Sequence, residues 1–144
     1  MISISIDLVS PPHNLFIGEP VWAKYTVSYS ALSAAATNNS VTLFTLPPRG
    51  IVHAVCIKHS ASFTGGGLTG YTLSVGTTEG KYASPFNVFG APGGSTALLS
   101  LGCWNEHFTI PAVVFLWARS TGANLNAATA GSVDVWVYTS ELPA

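Results

Sequence analysis

The chain has 144 residues, of which 48% are hydrophobic and only 8% charged, with a formal net charge of −1. Its length suits one domain with its own core, and its apolar content excludes a disordered chain. The cations Lys24, Arg49, Lys58, Lys81 and Arg119 are scattered, which excludes the basic stripe of a nucleic-acid binder.

An average soluble domain is about 25% charged, so this surface must be built largely from Ser, Thr, Asn, Gly, Ala and backbone. Little charge repulsion then keeps copies apart. Such a composition points to a protein that works inside an assembly.

The start, Met1-Ile2-Ser3-Ile4-Ser5-Ile6-Asp7, alternates apolar and polar residues with period 2 and reads as a strand or an extended arm. It has no basic leading region and no apolar run, so it is not a signal peptide. Pro11-Pro12 ends it, because proline cannot donate to a ladder. Residues 1–12 are therefore an N-terminal arm or a first strand, and residues 13–144 the β-domain.

Val21–Tyr29 is the next strand, with Val21, Ala23, Tyr25, Val27 and Tyr29 on one face. Ser30–Asn39 reads as a loop or a short helical turn around Ala34-Ala35-Ala36. Ser40–Leu46 is β-rich and stops at the turn Pro47-Pro48-Arg49-Gly50. Ile51–Ser62 and Leu68–Val75 flank Thr64-Gly65-Gly66-Gly67, which predicts a hairpin.

Tyr82–Phe89, Thr96–Leu101, Glu106–Ile110, Ala112–Ser120 and Ser132–Thr139 complete the strands. In the last, Val133, Val135 and Val137 face one way, and Asp134, Trp136 and Tyr138 the other. No segment shows sustained helical periodicity, and none is apolar for the roughly 20 residues a membrane span needs. Short strands punctuated by Gly and Pro predict an all-β, single-domain antiparallel β-sandwich of jelly-roll type.

Chemistry-bearing groups are sparse. His53-x-x-Cys56-x-x-His59 has metal-like spacing, but on a regular strand His53 and His59 share a face and Cys56 points away. Convergence would need a bulge, and packed histidines are the preferred reading over zinc. Cys56 and Cys103 read as buried free thiols in apolar contexts. Glu106-His107 is the one acid–His doublet, and strand neighbours face opposite sides.

There is no G-x-S-x-G elbow. Thr64–Leu68 lacks the Lys and the following helix of a phosphate loop. Asn38-Asn39-Ser40 is a sequon by coincidence, absent an export signal. The chain reads as a non-enzyme without metal or cofactor.

The aromatics admit two uses. Trp117, inside an apolar run, reads as core. Trp136 and Tyr138, opposite the valines, read as a subunit interface, where Trp and Tyr are enriched. A sugar-binding face is the alternative.

Several strings resemble structural proteins of tailed-bacteriophage virions. They are Val41–Gly50 (VTLFTLPPRG), Ile57-Lys58-His59-Ser60 with Phe63–Gly67, Tyr71–Gly76, Lys81–Phe89 and Ser120–Val137. Capsid decoration (cement) proteins are similar in size and β-rich character. The resemblance implies a jelly-roll trimer on the virion capsid surface, made in the host cytoplasm and bound to the major capsid protein. It implies no contact with nucleic acid or membrane. Ile2, Ile4 and Ile6 on the arm, with Trp136 and Tyr138, are then the expected partner-binding residues. The alternative is a carbohydrate- or receptor-binding module of a phage fibre.

Overall fold

Eight strands carry the fold in the computed structural model, which describes residues 18–90, 97–106 and 109–142. They are β1 (Gly18–Ser28), β2 (Asn38–Leu46), β3 (Gly50–Gly65), β4 (Gly70–Gly76), β5 (Ala83–Asn87), β6 (Ala97–Asn105), β7 (Ala112–Thr121) and β8 (Ala128–Glu141). Short 3-10 turns at Tyr29–Leu32 and Leu125–Ala127 are the helical elements among the described residues. The first lies just before the alanine run expected to hold it.

The strands form two antiparallel sheets, in the orders β1-β8-β3-β6 and β2-β7-β4-β5. Apart from β4–β5, every pair of consecutive strands crosses from one sheet to the other. That connectivity is the expected jelly roll.

Alternation builds the core. Val133, Val135 and Val137 of β8 are buried, as are Val114 and Leu116 of β7 and Tyr71, Leu73 and Val75 of β4. In β7 and β8 the residues between them face outwards or are only partly covered. Tyr25 of β1 stacks on Phe44 of β2 with centroids 5.6 Å apart, closing one edge of the sandwich. Phe63 and Tyr71 pack at 4.6 Å near the other end. Burial pushes the Tyr71 phenol up to about 12.

Four expectations need correction. First, β3 and β4 do not form a hairpin; they belong to different sheets. The glycine segment instead turns a corner. The Leu68 amide donates to the Gly65 carbonyl, and Gly67 takes a left-handed φ of +82°. Gly65 lies so close to the chain before β8 that a Cβ there would sit 2.0 Å from the Ala127 carbonyl oxygen.

Second, Glu106, Thr109 and Ile110 lie outside the strands, and β6 instead runs on to Asn105. The Glu106 carboxylate is drawn to the β4–β5 loop, and Pro111 follows Ile110. Third, Trp117 is not core. It lies out of phase with Ala112, Val114, Leu116 and Ala118, so it sits partly buried on the outer face of its sheet. Its indole Nε1–H donates to the Gly76 carbonyl at 3.0 Å.

Fourth, β3 contains a bulge. Val52 pairs with Thr139 and Ala54 with Tyr138, which leaves His53 as an extra residue. The bulge shifts the alternation by one. His59 then enters the core beside Val55 and Ile57, while His53 and Cys56 lie on the outside. Burial lowers the His59 pKa, and its ring meets Phe86 edge-on at 6.1 Å.

Two neighbouring glycines test the corner. Gly65→Ala should cost about 1–3 kcal/mol, because a methyl would be driven into fixed backbone. Gly66 has nothing within 4 Å of the same position, so Gly66→Ala should stay within about 0.5 kcal/mol. Urea unfolding of both variants checks this, and equal effects would refute the close approach at Gly65.

Candidate functional site

The sheet β1-β8-β3-β6 turns one face to the core, so its other face is a surface. The register lays side chains across it in rows. Trp22, Tyr138, Ala54 and Leu101 form one row. Lys24, Trp136, Cys56 and Leu99 form the next, and Thr26, Asp134, Lys58 and Ala97 the third.

The first two rows are mostly apolar. Trp22 and Tyr138 stack at 4.8 Å, and His53 packs against Tyr138 at 5.9 Å. His53 Nε2 shares a hydrogen bond of 2.6 Å with Ser140 Oγ, which fixes the bulged residue beside the aromatic pair. Lys24 reaches over the Trp136 ring at 5.4 Å, a cation–π contact.

Between the rows lies a shallow apolar depression of about 370 Å³ lined by Trp22, Cys56, Lys58, Leu99 and Trp136. Leu99 is 58% exposed and Leu101 71%. The third row is polar: Thr26 Oγ1 donates to Asp134 at 2.8 Å, and Lys24 lies 3.9 Å from the same carboxylate. The result is an apolar field bordered on one side by charge.

Trp136 and Tyr138 therefore lie on one outer face, opposite the valines. Ile2, Ile4 and Ile6 lie outside the described residues. Leu99 and Leu101 were not singled out from the sequence. In β6 the pattern misleads, because Ser100 turns inwards and the leucines beside it turn out. Ser100 Oγ donates to the Tyr82 carbonyl at 2.6 Å, which satisfies it on the inner side. Only the pairing register reveals the leucines: Leu99 pairs with Cys56, itself an outer residue once the bulge at His53 is counted.

Cys103 is exposed and Cys56 partly so, both as free thiols. This corrects the buried-thiol expectation, since both fall on the outward phase of their strands. Burial raises the Cys56 pKa against the pull of Lys58, which keeps its thiolate fraction low. His53, Cys56 and His59 do not converge, and no cluster of three metal-ligating side chains occurs among the described residues. No helix of the described residues is long and apolar enough to cross a membrane.

Glu106 has a structural task. Its carboxylate accepts hydrogen bonds from Thr77 and from Lys81, the latter at 2.5 Å. It thereby ties the end of β6 to the β4–β5 loop of the opposite sheet. Burial pushes its pKa up, but the bonds from Lys81 and Thr77 and the Lys81 charge outweigh that and hold it below the ordinary carboxylate value of 4.5. Its doublet partner, His107, lies outside the described residues.

The same jelly roll occurs in chains of phage capsids. A chain of the cyanophage Pam1 capsid asymmetric unit superposes with a TM-score of 0.56 at 23% identity, covering 88% of this chain and 86% of that one. A chain of the acidic stable capsid of Helicobacter pylori bacteriophage KHP30 gives 0.55 at 17% identity, covering 87% of this chain and 89% of that one. The likeness is one of fold. Neither protein-family models nor curated protein sequences give a match.

The Glu106 tie predicts an acid sensitivity. A carboxyl whose folded pKa is depressed stabilises the fold above its unfolded pKa, and that contribution is lost as pH falls through the folded value. Stability should thus decline below about pH 4.5. Glu106→Gln should lower it by about 1.5–3 kcal/mol at neutral pH and flatten the acid decline. Chemical unfolding at several pH values measures both, and an unchanged acid slope in the variant would refute the assignment.

Proposed function

We propose that this chain is a non-enzymatic structural subunit of a phage virion, which decorates the capsid surface and stabilises it by binding major capsid proteins as a trimer. The observation that carries the reading is a fold shared over nearly its whole length with chains of two phage capsids. The character of its outer face supports the same reading.

An apolar field of Trp22, Trp136, Tyr138, Leu99 and Leu101 is costly in water and suited to burial against protein. Aromatic residues at the centre of such patches carry much of an interface's energy. The charged groups beside it are partly consumed within the chain, as Lys24 and Asp134 are. Attachment therefore rests on apolar area and multiplicity rather than ion pairing. A trimer held at several points gains about 10²–10⁴ in avidity over one copy.

The N-terminal segment adds a second means of attachment. Ile2, Ile4 and Ile6 alternate with polar residues, the pattern of a strand that adds to a neighbour's exposed edge through main-chain hydrogen bonds. In this reading residues 1–12 are an arm donated to an adjoining subunit.

Sedimentation with capsids, together with mass determination in solution, tests the proposal. The intact protein should be a trimer and should bind capsids nearly equally at low and high salt, since few charges are available to screen. Leu101→Asp should stay folded and lose at least about tenfold in attachment, the scale of one or two interface contacts. Removal of the residues before His13 should leave a folded trimer that no longer attaches. A salt-labile complex, a monomer, or a truncated chain that fails to fold would each overturn the corresponding part.

A further inference from the structure

The other sheet presents a chemically different outer face. Where β2 begins beside the end of β7, Glu79 of the β4–β5 loop borders a half-open cleft of about 380 Å³. Its floor is Trp117. Its walls are Asn38, Asn39 and Ser40 on one side, with Arg119 and Glu79 on the other. The cleft lies on the opposite sheet from Trp22, Trp136 and Tyr138.

Each wall is held in place. The Trp117 indole is pinned by its bond to the Gly76 carbonyl, and Phe115 meets it edge-on at 5.5 Å. Asn39 donates its amide to the Leu32 carbonyl at 3.2 Å, which anchors the start of β2. Arg119 donates to both oxygens of Glu79, through Nε at 2.5 Å and a terminal nitrogen at 2.8 Å. That fork draws the loop down over the strand.

The chemistry of the lining selects the ligand. Arg119 is neutralised by Glu79, so the cleft offers no net charge to a phosphate or an amine. Asn and Ser side chains supply both donors and acceptors. The partly exposed Trp117 indole supplies a flat apolar surface next to them. A molecule that matches has one C–H-rich face, a rim of hydroxyls and no charge, and is small enough for a cleft of this size.

We propose that this cleft binds a neutral saccharide, with a sugar ring stacked on Trp117 and its hydroxyls hydrogen-bonded by Asn38, Ser40 and the Arg119–Glu79 pair. The site is independent of the capsid-binding reading and uses none of the residues of the other face. A subunit seated on a capsid through the β1-β8-β3-β6 face would present this cleft away from that contact. A virion protein so placed could hold the particle on a glycan-bearing surface.

The test is an NMR titration of the full-length, isotope-labelled protein. The probes are glucose, galactose, mannose, N-acetylglucosamine and their disaccharides, with inorganic phosphate as the anionic control. The chain has four tryptophans. Trp22, Trp104 and Trp136 lie on the other sheet, so the indole N–H signals separate the two faces.

At least one neutral sugar should shift the Trp117 indole and Asn38 amide signals and saturate at millimolar concentration. Asn38→Ala, a change at an exposed position, should weaken that binding about tenfold, the loss of one or two hydrogen bonds, while leaving the other indole signals in place. Trp117→Phe should weaken it while retaining the fold. No shift at Trp117 with any sugar would overturn the proposal. So would shifts with phosphate alone, or shifts confined to Trp22 and Trp136.

Discussion

The sandwich depends on β8 lying between β1 and β3. Among the described residues, β1 has no sheet neighbour except β8. A strand near the start of the chain is thus held by one near its end, with Trp22 opposite Tyr138 and Val27 opposite Val133. β8 also supplies the valine row that faces the opposite sheet. Such long-range pairing carries a large loop-closure cost before it is rewarded, which makes jelly rolls slow to fold. It also explains why β8 is nearly pure alternation: a slip of one residue would send Val133, Val135 and Val137 into water and Asp134 into the core.

That alternation is also why much of the fold is legible in the sequence. β1, β4 and β8 follow period 2, and their inner faces are the ones the pattern indicates. The failures have local physical causes. The bulge at His53 reverses the phase of β3, and nothing in the string Val52-His53-Ala54 announces it. In β6 the apolar rule inverts, because Ser100 is satisfied by a carbonyl inside the sandwich while Leu99 and Leu101 are exposed. The glycine segment before β4 looks like a hairpin turn, yet hairpin and corner use the same residues. What distinguishes them is the partner each strand finds, and that partner lies far along the chain.

The candidate surfaces were less legible than the strands for the same reason. Trp136 and Tyr138 were visible as one outward set, because both lie on β8. Trp22, Leu99 and Leu101 join them only through pairing register, which no single segment encodes. Trp117 looked buried because its run is apolar on both phases. Val113 is exposed in the same strand, so the run reflects one face turned to the core and a second face that is apolar for another purpose.

Charge depletion can now be given a location. Of the charged side chains, Lys81 with Glu106 and Arg119 with Glu79 are spent holding the β4–β5 loop, and Lys24 with Asp134 on the border of the apolar field. Ion pairs at the surface contribute little stability in general, but these fix geometry: one ties two sheets together, and another borders a cleft. Pairs used internally contribute almost nothing to the long-range field. The two outer faces are therefore distinguished by local chemistry rather than by potential. One is a largely apolar field around Trp22, Trp136 and Leu99, and the other holds a polar cleft beside Trp117. Exposed leucines on an edge strand such as β6 invite association. Leu99 and Leu101 stand there with little charge nearby to repel a neighbour, which is the property the proposed attachment draws on.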